Sequence, residues 1–208
     1  MVDKETGSDS GLIIVNSMDE KSAKEFREAV FSQSNENSEK PLIVTIDTRG
    51  GDVYALASMV ETMRSVPNPI ITSCSGKAFS AGAILLSYGL KRYCGPHSRI
   101  MIHEMVGWTE GNIHEVQADS EEFVRINQCW LGELARNCKI EGGYNALKEL
   151  IKNSKDNRTI RLTPEEAVKF GIVDGIGIPI IEIAYNLIVT VAPNYEKNGA
   201  NDEPEKSS

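Results

Sequence analysis

Apolar and polar positions fall along this chain in repeated blocks: a short run of branched apolar residues, a turn, then a longer amphipathic stretch. Leu12–Val15 (LIIV) predicts a strand. Ser17–Glu20 (SMDE) reads as a capping box opening a helix that runs to about Phe31. The polar stretch Ser32–Lys40 comes next as a loop. Pro41–Ile46 (PLIVTI) is a continuous apolar run, as expected of a strand buried on both faces. A glycine turn, Asp47–Asp52, leads into a helix from Tyr54 to Arg64, which Pro67 and Pro69 end. Ile70–Cys74 predicts the next strand, followed by the small-residue stretch Gly76–Gly82 and a helix through Tyr88. A third buried strand, Ile100–Ile102, runs straight into His103. Helices are predicted over Ile113–Asn137 and Tyr144–Lys152. A third helix starts at the box Thr163–Glu166, with Pro164 at its first position, and ends near Gly171. Strand, turn and helix recur three times, so the fold class is α/β with parallel pairing.

Composition adds limits to this picture. The 208 residues suffice for one substantial domain, with 40 % hydrophobic and 25 % charged residues. A formal charge of −8 argues against general nucleic-acid binding, because phosphate would meet a repulsive field. Cys74, Cys94, Cys129 and Cys138 show neither close pairing nor regular spacing, so they predict reduced thiols of a cytoplasmic protein and no zinc site. The start, MVDKETGSDSGL, has no basic segment followed by an apolar run, and no apolar stretch approaches a membrane span. The chain is therefore expected to be soluble, without a membrane partner. Residues 1–10 are expected to be flexible and 193–208 to form a disordered polar tail, which leaves 11–192 as the domain.

Three features at the ends of buried strands carry candidate chemistry. The pair Gly50-Gly51 lets the backbone approach a ligand, so that the Gly51 amide can face an oxyanion; the simpler reading is a plain turn. Ser80, set among small residues between a strand and a helix, has the placement of a nucleophile, with the Ala81 amide beside it; otherwise it caps the helix after it. His103 leaves a buried strand with its backbone fixed, as a general base requires, or it is a satisfied core histidine. His97 and His114 lie in polar surroundings and read as surface residues.

Taken together, Thr48–Val53 (TRGGDV), Gly76–Gly82 (GKAFSAG), Met101–His103 (MIH) and Leu162–Ala167 (LTPEEA), with Phe170–Asp174 (FGIVD) behind them, resemble the proteolytic subunit of the Clp proteases in order and spacing, from about Gly11 to Ile176. The divergence is compatible with a phage-type relative. The resemblance implies a ClpP/crotonase-type fold of repeated strand-strand-helix units, with a protruding strand-helix handle at about 107–138. It implies a serine endopeptidase in which Ser80 is the nucleophile, His103 the base, and the amides of Gly51 and Ala81 the oxyanion hole. It also implies heptameric rings stacked in pairs around a chamber, acting on unfolded proteins or peptides, with no cofactor and no metal.

Two departures qualify the resemblance. The family's third catalytic residue is an aspartate where an ungapped alignment places Thr159. Asp156 lies just upstream and is the favoured replacement, with Asn157, Thr159 or no residue as the alternatives. Without such an acceptor, the chain would be a catalytically weak structural subunit of a mixed ring. The family's axial segment is also shortened before Leu12, which argues against docking to an AAA+ unfoldase. A crotonase-like acyl-CoA enzyme is the remaining alternative, and the joint presence of Ser80 and His103 argues against it.

Overall fold

A computed structural model describes residues 11–156, 158–182 and 188–191. The expected flexible start, Asn157 and the expected tail lie outside the described residues. Seven strands form one sheet: β1 (Leu12–Val15), β2 (Leu42–Thr48), β3 (Ile70–Phe79), β4 (Lys91–Cys94), β5 (Arg99–His103), β6 (Thr159–Leu162) and β7 (Gly175–Ile176). The order is β1-β2-β3-β4-β7, all parallel, with β5 attached to β3 and antiparallel β6 attached to β5. The helices are α1 (Glu20–Glu36), α2 (Val53–Arg64), α3 (Ala81–Leu86), α4 (Ile113–Asn137), α5 (Gly143–Lys152) and α6 (Pro164–Phe170). Outside this sheet, β8 (Pro179–Glu182) and β9 (Ile188–Val191) form a separate antiparallel pair.

Strand β2 is buried as its apolar run requires, with Leu42, Val44 and Ile46 fully enclosed. The Thr163 box forms as expected: its side chain accepts from Glu166 N, Pro164 occupies the first turn, and Gly171 closes α6 in the left-handed region. The first helix starts later than expected. Its cap is Asp19, which accepts from Ser22 N at 2.7 Å and donates its own amide to Ser22 Oγ at 2.9 Å. The cause lies in the tertiary structure. Met18 is buried and bridges to Gly51, with Asp52 N donating to Met18 O at 2.9 Å, so the chain stays extended through Met18.

Strand β3 is twice as long as its apolar run suggests, and this extension places the site. Ile71–Cys74 pairs with β4; Lys77–Phe79 then pairs with β5 on the same side. The exchange occurs at Cys74, whose carbonyl accepts from Gly95 N at 2.9 Å and from Ser98 Oγ at 2.8 Å. On the other side, the register with β2 shifts between Ile46 and Thr48. Gly76 sits in this irregularity against the Asp47 carboxylate, which Lys77 Nζ binds at 2.8 Å. Strands β4 and β6 carry no strong apolar run, and their edges are supplied by partners distant in sequence.

The handle helix α4 has the expected limits. Its buried residues, Leu131, Leu134 and Ala135, all lie in its last third, so its first turns project from the body. Residues 104–112, which include the start of the expected handle at about 107, pair with no strand among the described residues. Cys74, Cys94 and Cys138 are buried, which pushes their thiols up to about 11, 12 and 12, while Cys129 is exposed.

Arg92 ties the far side of the domain together. Its guanidinium donates to Asp174 Oδ1 at 2.6 Å, to Gly171 O at 2.9 Å and to Asn137 O at 3.1 Å, joining β4 to the ends of α4 and α6. Burial pushes the Asp174 carboxyl up, but Arg92's hydrogen bonds and charge outweigh this and hold it below its ordinary value. Arg92→Ala is expected to destabilise the protein by about 3 kcal/mol in denaturant titration, since it strips a carboxylate and two carbonyls of their donor. The loss in Asp174→Asn should be smaller. The folded carboxyl is more acidic than the unfolded one, so its stabilisation is present above the unfolded value and lost as pH falls through the folded one. Wild type and Asp174→Asn should therefore converge in stability at low pH.

Candidate active site

Ser80 follows β3 directly and precedes α3. Its backbone has φ 55° and ψ −122°, a conformation that costs a side-chain-bearing residue about 1–3 kcal/mol. Hydrogen bonds on both sides hold it there. Ser80 N donates to Met101 O at 2.8 Å, extending the β3–β5 pairing by one residue, and Ser80 O accepts from Ala83 N at 2.9 Å. The hydroxyl makes no capping bond to α3, so the helix-cap reading of Ser80 does not hold.

The Gly50-Gly51 turn is wedged against this serine. Gly50 has φ 92°, and a Cβ there would lie 2.7 Å from Phe79 O and 2.8 Å from Ser80 Cβ. A Cβ on Gly51 would overlap the Met18 carbonyl. Thr48 secures the arrangement: its Oγ1 accepts from Gly50 N at 3.2 Å, and its methyl lies against Gly82. Among the described residues, no turn or cap hydrogen bond uses the amide of Gly51 or of Ala81. Both residues line one cavity of about 150 Å³ together with Ser80 and His103.

His103 is the last residue of β5. The β3–β5 register aligns Phe79 with Met101, which brings Ser80 and His103 to the same end of two adjacent strands. They share the cavity without a direct hydrogen bond among the described residues. Val53, Ile84, Ile126, Trp130 and Leu131 make its other walls mainly apolar. A serine and an imidazole beside two amides that no turn or cap bond uses suit nucleophilic attack on a carbonyl. The apolar wall suits one medium-sized apolar side chain.

Asp156 lies elsewhere. Its carboxylate pairs with Arg161, and it lines a separate depression with Leu150, Ile160 and Phe170. The residue directly across the ladder from His103 is Thr159. The structure thus brings together Ser80, Ala81, Gly51 and His103, and leaves Asp156 outside their cavity. Sequence reasoning named none of the wall residues from α4, Ile126, Asn127 and Trp130. The only local signal was a helix stripe, which predicts burial and not which cavity it faces.

Gly50→Ala should cost about 1–3 kcal/mol in thermal unfolding and slow any reaction at Ser80, because its methyl would press on the Ser80 turn. Gly132→Ala, with nothing within 4 Å of its added carbon on α4, should instead stabilise by about 1 kcal/mol.

The family model described as Clp protease matches residues 5–179, which include every strand of the main sheet and the whole cavity. This chain belongs to the Clp protease family.

Proposed function

We propose that the chain is a serine endopeptidase of the Clp type. The observation that carries this reading is Ser80 on a positive-φ turn, sharing one cavity with His103 and the amides of Gly51 and Ala81. Ser80 Oγ attacks the scissile carbonyl as His103 takes its proton. The two amides stabilise the oxyanion, and His103 then returns the proton to the leaving amine. Water repeats the sequence on the acyl-enzyme and frees Ser80. Loss of either amide should cost about 2.7–4 kcal/mol of transition-state stabilisation. The stretch 104–110 beside the cavity belongs to no strand among the described residues, which supports binding of an extended peptide along its backbone. Family membership supports assembly of identical chains into rings, read here as stacked heptamers enclosing unfolded protein or peptide substrates in the cytoplasm.

The third member of the triad is proposed as Asp156, which would have to exchange Arg161 for the imidazole of His103. That existing ion pair favours a second reading, a weakly active structural subunit in which Thr159, across from His103, stands where the family has its aspartate.

Fluorophosphonate labelling of the assembled protein should mark the wild type and spare Ser80→Ala. His103→Ala should lower peptide hydrolysis by about 10³-fold or more. No labelling of an intact assembly would sink the peptidase reading. If Asp156 orients His103, Asp156→Ala should approach a loss of about 10⁴-fold; an unchanged rate would remove Asp156 from the triad.

A further inference from the structure

Beyond His103 the chain leaves the sheet and runs back along α4 in a regular way. Met105 N donates to Asn127 Oδ1 at 2.8 Å, Gly107 lies against the Phe123 ring, Thr109 Oγ1 donates to Asp119, and Gly111 lies against Glu115. Each step takes two residues of the segment and four of the helix. Two extended residues advance about 6.6 Å and four helical residues about 6.0 Å, so the two runs keep pace. The odd-numbered residues 105, 107, 109 and 111 meet the helix, while Val106, at the rim of the active-site cavity, and Trp108 are 81 % and 77 % exposed.

The contact nearest the active site differs from the others. Met105 and Asn127 both line the cavity that holds Ser80 and His103. Behind His103, the backbone is held by the ladder with β6 and by the bond from Ser80 N to Met101 O. Ahead of it no ladder continues. Among the described residues, the Met105–Asn127 bond is the first backbone hydrogen bond after the end of β5. An imidazole whose backbone is tied on one side only can swing away from the serine, and a misplacement of about 1 Å costs up to about 100-fold in rate.

We propose that Asn127 is a positioning residue: by accepting from the Met105 amide, it clamps the chain leaving β5 and so holds His103 against Ser80. This rests on the serine–histidine reading above. The acceptor oxygen does the work, so aspartate should substitute for asparagine and alanine should not.

The test compares assembled wild type, Asn127→Ala and Asn127→Asp, each on its own pH plateau. The readouts are the rate of fluorophosphonate labelling at Ser80, kcat and KM on a short fluorogenic peptide, and amide hydrogen exchange at Met105. Asn127→Ala should speed exchange at Met105 and lower labelling and kcat by about 10- to 100-fold, with little change in KM. Asn127→Asp should restore all three. Thr109→Val, which breaks a contact of the same segment far from the cavity, should label like wild type, separating the clamp from general docking on α4. The inference is overturned if Asn127→Ala labels within about twofold of wild type, if the loss falls on KM alone, or if Asn127→Asp is no better than Asn127→Ala. An unlabelled wild type would instead overturn the serine–histidine reading, and the inference with it.

Discussion

The exchange of partners along β3 is the constraint on which the rest of the structure depends. One strand serves two neighbours on the same side, β4 as far as Cys74 and β5 from Lys77 onward. Between them the backbone carbonyl of Cys74 takes two donors, Gly95 N and Ser98 Oγ, so this carbonyl stays satisfied where the strand changes neighbours. Because β5 is carried forward in this way, its end overhangs the main sheet. Ser80 and His103, 23 residues apart by their numbers, arrive side by side.

That placement explains how a strained serine can persist. A positive φ at a residue with a side chain is unfavourable by itself and survives only where its surroundings over-determine it. Here Met101 and Ala83 bond the serine's peptide groups, and Gly50 occupies space that no larger residue could enter. The same glycine turn is held from behind by Met18, whose bridge also delays the start of α1. One backbone junction therefore links the chain after the first strand, the first helix cap and the glycine turn beside Ser80.

The histidine side of the site is built differently. Its strand ends at the cavity, and the chain beyond His103 leaves the sheet as a segment laid on a projecting helix. The seven-stranded body and the handle thus meet at His103. The Asp156 turn adjoins Thr159, the ladder partner of His103, but its carboxylate pairs with Arg161.

Much of this was legible in the sequence, for reasons that differ by element. The run PLIVTI implies burial on both faces because no charged residue interrupts it, and the Thr163 box with Pro164 specifies a helix start by local hydrogen bonding alone. The small-residue stretch around Ser80 and the strand ending in His103 pointed to the same pair of residues that the cavity unites. Local chemistry determined the type of most elements and the candidates for catalysis. What it could not determine were features whose partners lie far along the chain: the cap at Asp19, set by Met18 on Gly51; the second half of β3 and the weakly patterned β4 and β6, set by neighbouring edges; and the place of Asn127 beside Met105. Backbone pairing between distant strands has no local signature, because its hydrogen bonds are the same whatever the side chains. Only the tertiary structure decides which edges meet.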